Sequence, residues 1–519
     1  MARSFSEESL LNQTNCLHMI NFHRPKNAVF ISLFKLKTAV FILIFTTFHP
    51  GFSQKQEDLP PALDAIKSAE LKQDLFTLAS DSMRGRRAGT LDELRAAAWV
   101  AQRAQKAGLK PAGDDGTYFQ FFNLKRRVVD ASSTVNIDGN SLALWEDAWI
   151  TTPTEVKLET SITWLETLQD TTTSYAGKVI AARLMPPSPL PAEGMSLWVY
   201  RYALSAIRQQ AGQLVKQGAK AVILVADSTA QSKIGFFGHG MEEGTYAIDD
   251  TQKRSANESP VILVSQQWAD ALQKSGATIS LDLKVNRFDY PSANVVAKAE
   301  GTDAQLKNEY VLFSGHHDHD GVGEPVDGDS IWNGADDNAS VSVALLAIGR
   351  AWTEKPGKRS GLFVWHGAEE RGLFGSRYYS AHPTVPKASI VAVLNGDMIG
   401  RNAEGEAALL GAIPPHRNSQ ELVDMAMKAN DALTKFKVDT SWDAESHPEH
   451  WYFRSDHLPY AQTDIPAIFF TTLLHPDYHT PQDEAETINI NKLTKMTKWI
   501  YATGWEISET AKKPTLEAN

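Results

Sequence analysis

Past residue 290, short apolar runs rich in β-branched and aromatic residues alternate with stretches whose apolar positions recur every three or four residues. The apolar runs at 311–314, 362–365, 391–394 and 465–470 read as strands, and residues 339–352, 373–380, 419–433 and 490–506 read as helices. This alternation predicts an α/β fold, a mixed β-sheet flanked by helices, with its functional edge at the carboxyl ends of the strands. Nearer the N-terminus, Leu71, Leu75 and Leu78, then Ala96, Ala97, Val100, Ala104 and Leu109, follow helical spacing. Between them lies a polar, glycine-containing loop at 80–90, which its composition assigns to a solvated connector. From 140 to 288 the pattern shifts to short β-rich runs at 161–165, 178–182, 221–225, 260–264 and 279–285, with one helical stretch at 202–217. It predicts a mostly β module inserted into the larger domain, free of ligand-type clusters and so a lid or spacer. The expected organisation is a leader at 1–53, the N-terminal part of the main domain at 54–139, the insert at 140–288 and the rest of the main domain at 289–519.

A chain of 519 residues is long enough for two folded units, and 42% hydrophobic with 22% charged residues is ordinary globular composition. The net charge of −11 leaves no basic field for nucleic acid. The first 53 residues carry five basic and two acidic side chains, so the remainder is more acidic still. Arg24, Lys26, Lys35 and Lys37 precede an apolar stretch at 38–45, with Gly51 and Ser53 placed for cleavage before Gln54, as in an export signal; Met19 is an alternative start. A secreted or periplasmic protein is expected, without membrane insertion after signal removal, because the apolar stretch is too short to span a bilayer. The competing reading, a retained anchor over 29–48, is interrupted by Lys35 and Lys37. Cys16 is the only cysteine and lies in the leader, so a processed chain has neither disulfide nor thiolate ligand.

The chemistry is carried by polar residues just past the carboxyl end of each predicted strand. Residues 311–314 open into Gly315-His316-His317-Asp318-His319-Asp320, and the next polar cluster is Asn333-Gly334-Ala335-Asp336-Asp337-Asn338. Then come Glu369-Glu370, Asp397 and His479. Nitrogen and carboxylate donors without thiolate suit zinc or a similar divalent ion at a catalytic site. In an extended segment His316 and Asp318 face one way, so Asp318 is placed to accept the second imidazole N–H and fix the ligand tautomer. His317 and His319 compete for the ligand role, and periodicity does not separate them. Asp337 or Asn338 has an ordinary reading as a helix N-cap, which leaves Asp336 as the candidate carboxylate for bridging two ions about 4 Å apart. Adjacent Glu369 and Glu370 point in different directions, so one can bind metal while the other serves as proton carrier. Tyr478, in Pro476-Asp477-Tyr478-His479-Thr480-Pro481, is placed to donate a hydrogen bond to an oxyanion.

His316-x-Asp318, Gly334-Ala335-Asp336-Asp337-Asn338, Gly367-Ala368-Glu369-Glu370-x-Gly372-Leu373-x-Gly375-Ser376, Asp397 and Tyr478-His479, in that order, resemble the co-catalytic dizinc aminopeptidases. This is the twenty-eighth metallopeptidase family, which also holds glutamate carboxypeptidases and glutaminyl cyclases. The resemblance covers about 290–510, and the loop 80–90 with Ala107-Gly108-Leu109-Lys110-Pro111 resembles the family's N-terminal portion. It implies a zinc exopeptidase-like fold and two Zn2+ ions bridged by Asp336, with His316 and Asp397 on one and Glu370 and His479 on the other. Glu369 would be the general base, and Ser455-Asp456-His457 would support the site. The insert is similar to a protease-associated domain through Gly177-Lys178-Val179, 218–223 and Ser259-Pro260-Val261. Peptide substrates cut at a chain end are implied, foremost by an aminopeptidase. The alternatives are a carboxypeptidase or dipeptidase of the same fold, with Arg401 or Arg454 anchoring a terminal carboxylate, and a non-catalytic binding protein.

Overall fold

The computed structural model describes residues 59–517 except 169–171, 193 and 249–258; the leader at 1–53 lies outside the described residues. Among the described residues no helix is long and apolar enough to cross a membrane.

The large sheet contains, in chain order, β1 (Phe119–Val129), β2 (Thr245–Ile248), β3 (Val285–Ala299), β4 (Tyr310–His316), β5 (Ser360–His366), β6 (Ile390–Gly396), β7 (Glu406–Leu410), β8 (Lys437–Asp439) and β9 (Ala467–Thr471). Their spatial order is β8-β7-β9-β6-β4-β5-β3-β1-β2, with the short strand Lys110–Pro111 pairing β3. The central strands β9, β6, β4 and β5 run parallel. Apart from Tyr310 at the start of β4 they are buried along their length, which explains why they read as continuous apolar runs rather than as alternating ones. On one face the helices Ser340–Glu354 and Ile490–Glu509 and the N-terminal helices Ser68–Leu78 and Leu91–Lys106 share one core, in which Phe313 packs between Trp352 and Phe363. A smaller core on Leu312, Leu362, Val364 and Tyr379 covers the other face.

The antiparallel ribbon of β1 with β3, paired from Val129↔Val285 to Phe119↔Val295, leads out to a second, eight-stranded sheet. Its strands lie between Thr134 and Leu283, starting ahead of the expected boundary at 140. Four of them, Val156–Leu165, Val179–Arg183, Ala221–Val225 and Val261–Val264, are parallel neighbours. The helical stretch read at 202–217 is the helix Trp198–Lys216, and a further helix, Ile234–Glu243, joins it on one face of this sheet through Ala203, Ile207, Phe237 and Met241. β2, although between strands of the insert in sequence, returns to pair with β1.

Candidate metal centre

Because β4, β5, β6 and β9 are parallel neighbours, their carboxyl ends deliver side chains to one edge. His316 closes β4, Asp397 follows β6 directly, Glu369 and Glu370 follow β5, and His479 follows β9. Asp337 enters from the loop before the helix Ser340–Glu354. His316 Nε2 faces Asp337 Oδ1 at 3.2 Å, Asp397 Oδ2 at 3.7 Å and Glu369 Oε2 at 3.8 Å. His479 Nε2 faces Asp337 Oδ2 and Glu370 Oε2, each at 3.3 Å. One carboxylate, Asp337, thus presents one oxygen to each half of the ring.

The donors fit a bound cation. His316 Nε2 and Asp397 Oδ1 are fully buried and make no hydrogen bond, a costly arrangement unless something else satisfies them. Burial would lower the His316 pKa, but the carboxylates of Glu369 and Asp397 outweigh it and hold it well above the usual range. Burial would likewise raise Glu370, yet His479 and His319 hold it well below the ordinary carboxylate range. A nest of carboxylates and imidazoles with buried, unpaired donor atoms suits a divalent ion of the zinc type.

The expected bridge, Asp336, is not in the ring. Its Oδ1 accepts the Gly400 N–H at 2.6 Å, and His475 Nε2 lies 3.6 Å from Oδ2. Consecutive side chains leave the backbone in different directions, so only one of the two aspartates can face the ring, and it is Asp337. Gly334, at φ +54°, starts this turn; a Cβ there would overlap the His319 ring. Asp483, buried below the loop, accepts the backbone N–H groups of Asp336 and Asp337 at 3.0 Å. The carboxylate that fixes the loop is therefore Asp483 rather than an N-cap from within it.

The structure brings His316, Glu370, Asp397 and His479 close together, with Glu369 beside them. Asp318 acts differently from expectation. Its backbone carbonyl, not its carboxylate, lies within 3.2 Å of His316 Nδ1, while the carboxylate accepts Glu369 N–H at 3.0 Å and Glu370 N–H at 3.3 Å. Asp318 thereby sets the turn that separates the two glutamates. The competing histidines also separate. His317 Nε2 meets the Ala293 carbonyl at 3.0 Å, and burial pulls its pKa down to about 4, which leaves a neutral packing group. His319 Nδ1 lies 2.7 Å from Glu370 Oε1 and aims that carboxylate. Ser455 Oγ donates to Asp397 Oδ2 at 2.7 Å, and His457 stacks on Phe469 in the core. Tyr478 Oη accepts from Arg454 at 2.6 Å. Burial raises its pKa to about 12, so it keeps its proton. Arg401 pairs with Asp477 at 2.5 Å and donates to Thr487.

The loop 80–90, far from a solvated connector, lies under the site. Arg86 is fully buried and donates to the carbonyls of Leu78, His317, Asn333 and Gly334 at 2.6–2.9 Å, tying the His316 loop to the Asp337 loop. Glu93 is also buried, accepting from Gly89 N at 2.6 Å and from Ser292 Oγ at 2.6 Å. Neither residue stands out in the sequence; a capping-box glutamate three residues after Thr90 is the one local signal for Glu93. Arg86→Met keeps the apolar stem and strands these carbonyls. A stability loss of about 3–5 kcal/mol is expected, the range for removing one partner from a buried charged cluster. Urea unfolding measures it, and an unchanged midpoint would show that the carbonyls find other donors.

Above the ring lies a cleft of about 350 Å³ with Glu370 and His479 on its floor. One wall is Leu197, Tyr200 and Phe236 of the insert; the other is Trp332, Arg454 and Tyr478.

Residues 294–504 match the model of peptidase family M28. Aminopeptidase YwaD of Bacillus subtilis (strain 168) is 26% identical over 263 residues, covering 49% of this chain and 53% of that protein. The chain spans about half the length of the curated relatives it matches. The aminopeptidase from Aneurinibacillus sp. strain AM-1 superposes over 88% of this chain and 98% of its own with a TM-score of 0.57 at 18% identity. BSAP, a zinc aminopeptidase from Bacillus subtilis, does so over 88% and 97% with a TM-score of 0.54 at 20% identity. At these identities the likeness shows the fold, insert included in the span.

Proposed function

Taking residues 294–504 as a peptidase family M28 segment, we propose that the protein is a zinc-dependent exopeptidase, foremost an aminopeptidase, acting outside the cytoplasm. The observation that carries this reading is the ring in which Asp337 offers one oxygen to the His316 side and one to the His479 side, with Glu369 left over. Two Zn2+ ions would fit it, with His316, Asp337 and Asp397 to hold one and Asp337, Glu370 and His479 to hold the other. When bound, such ions polarise the scissile carbonyl and acidify a water. Glu369 would take a proton from the attacking water and return it to the leaving amine. Tyr478, whose oxygen already accepts from Arg454, has its hydrogen free to donate to the oxyanion. The relatives named as aminopeptidases support the substrate end. Arg401 and Arg454, the anchors a carboxypeptidase would need, are engaged by Asp477 and by Glu449. The insert, by its glycine and strand pattern, is a protease-associated domain, and the basic-then-apolar segment ahead of Gln54 is an export signal.

Sequencing the products of a peptide library from both ends tests the reading. Loss of single residues from the N-terminus is expected. Trimming from the C-terminus would replace the aminopeptidase by a carboxypeptidase, and no cleavage by zinc-loaded protein would defeat both.

A further inference from the structure

The insert reaches the reacting groups through a chain of polar contacts that no ligand pattern in the sequence marks. Glu449, buried beside the cleft, is the centre of it. From the insert, Ser196 donates its N–H to Glu449 Oε1 at 2.7 Å and its hydroxyl to Oε2 at 3.0 Å, and Arg201 donates to Oε2 at 2.7 Å. From the main domain, Arg454 donates to the same Oε2 at 3.2 Å and, through its other terminal nitrogen, to Tyr478 Oη at 2.6 Å. The Arg454 guanidinium also lies over the Trp451 ring, 4.3 Å from its centroid, which fixes the plane of the fork.

We infer that Glu449 and Arg201 are positioning residues through which the inserted domain holds Arg454, and with it the Tyr478 hydroxyl, in register with the metal ring. A guanidinium is a rigid planar fork, so fixing one nitrogen on Glu449 and its face on Trp451 leaves the other nitrogen little freedom. That nitrogen occupies one acceptor site of the phenol oxygen and so directs the phenol hydrogen elsewhere, toward the cleft. Without the insert, Glu449 loses three of its four donors, and the carboxylate that Arg454 bonds is no longer held from the far side. The insert is then a structural part of the catalytic site as well as a wall of the cleft. This inference rests on the oxyanion role of Tyr478 given above.

The test uses zinc-loaded full-length protein and an aminoacyl p-nitroanilide. Arg201→Ala and Glu449→Gln should each lower kcat on the order of tenfold with KM little changed, part of the roughly 10²–10³ that loss of a whole oxyanion donor costs. Arg201→Lys should recover part of the rate. In a Tyr478→Phe background neither substitution should lower kcat further, because the group they position is gone. An undiminished loss in that background, or a change in KM alone, would overturn the inference. If Tyr478→Phe itself leaves kcat intact, the oxyanion reading fails instead. The coupling is then decided without activity, in 3-fluorotyrosine-labelled protein. The fluorine resonance assigned to Tyr478 by its absence in Tyr478→Phe should shift in Arg201→Ala and Glu449→Gln, and an unmoved resonance would show that no such linkage exists.

Discussion

Asp337→Asn is expected to strip bound metal and abolish hydrolysis, while Asp336→Asn keeps both. Asp337 faces His316 on one oxygen and His479 on the other, so an amide there replaces a shared anionic donor with a neutral group that has one acceptor atom. The loss in metal affinity should exceed the 10–100-fold typical of removing a partner that merely supports a ligand. Asp336 instead accepts a backbone N–H from Gly400, which an asparagine carbonyl also accepts. Burial, reinforced by Asp483 beside it, holds the Asp336 carboxyl well above the usual carboxylate range, so an amide substitutes for a group already inclined to be neutral. The check is the metal-to-protein ratio after dialysis, measured alongside kcat. Metal loss from Asp336→Asn with retention in Asp337→Asn would return the bridge to Asp336.

That pair of aspartates also marks the limit of what residue types encode. The rhythm of apolar run and polar cluster points to His316, Glu370, Asp397 and His479, which the fold brings to one edge, because buried parallel strands leave a plain signature and their carboxyl ends lie side by side. Which of two adjacent aspartates faces the ring depends on the backbone turn after Gly334, and nothing in the residue types encodes it. The helix Ile234–Glu243 escapes the sequence pattern for a related reason. Gly235, Gly238 and Gly240 depress helix propensity, and what sustains the helix is the packing of Phe237 and Met241 on the insert's sheet, where Gly238 lets it approach the Trp149 ring closely. Arg86 is hidden in a polar, glycine-containing loop whose composition is that of a surface turn; three of its four partners are backbone carbonyls more than 200 residues downstream. The same holds for Glu449 and Arg201, which are ordinary charged residues until the fold brings them together across 248 positions.

Glu369→Gln should retain metal and lose kcat by a factor on the order of 10²–10⁴, the range for removing a general acid–base group. Glu369 Oε2 lies 3.8 Å from His316 Nε2, at the edge of the ring rather than within the Asp337–Glu370–His479 half. Its backbone N–H and that of Glu370 are both held by Asp318, which splays the two side chains apart. Burial pushes its carboxyl well above the usual carboxylate range, with Glu370 and Asp456 acting in the same direction and His316 opposing them. A carboxyl in that setting both accepts and returns a proton near neutral pH more readily than an exposed one. The amide keeps the shape and cannot carry the proton, so kcat falls while KM changes little. Glu370→Gln should do the reverse at the first step, lowering metal occupancy, because Glu370 Oε2 faces His479 within the ring and its other oxygen is already held by His319. Metal analysis and steady-state kinetics on the two variants separate the roles. Equal metal loss in both would mean that Glu369 is a ligand and that the proton is carried by another group.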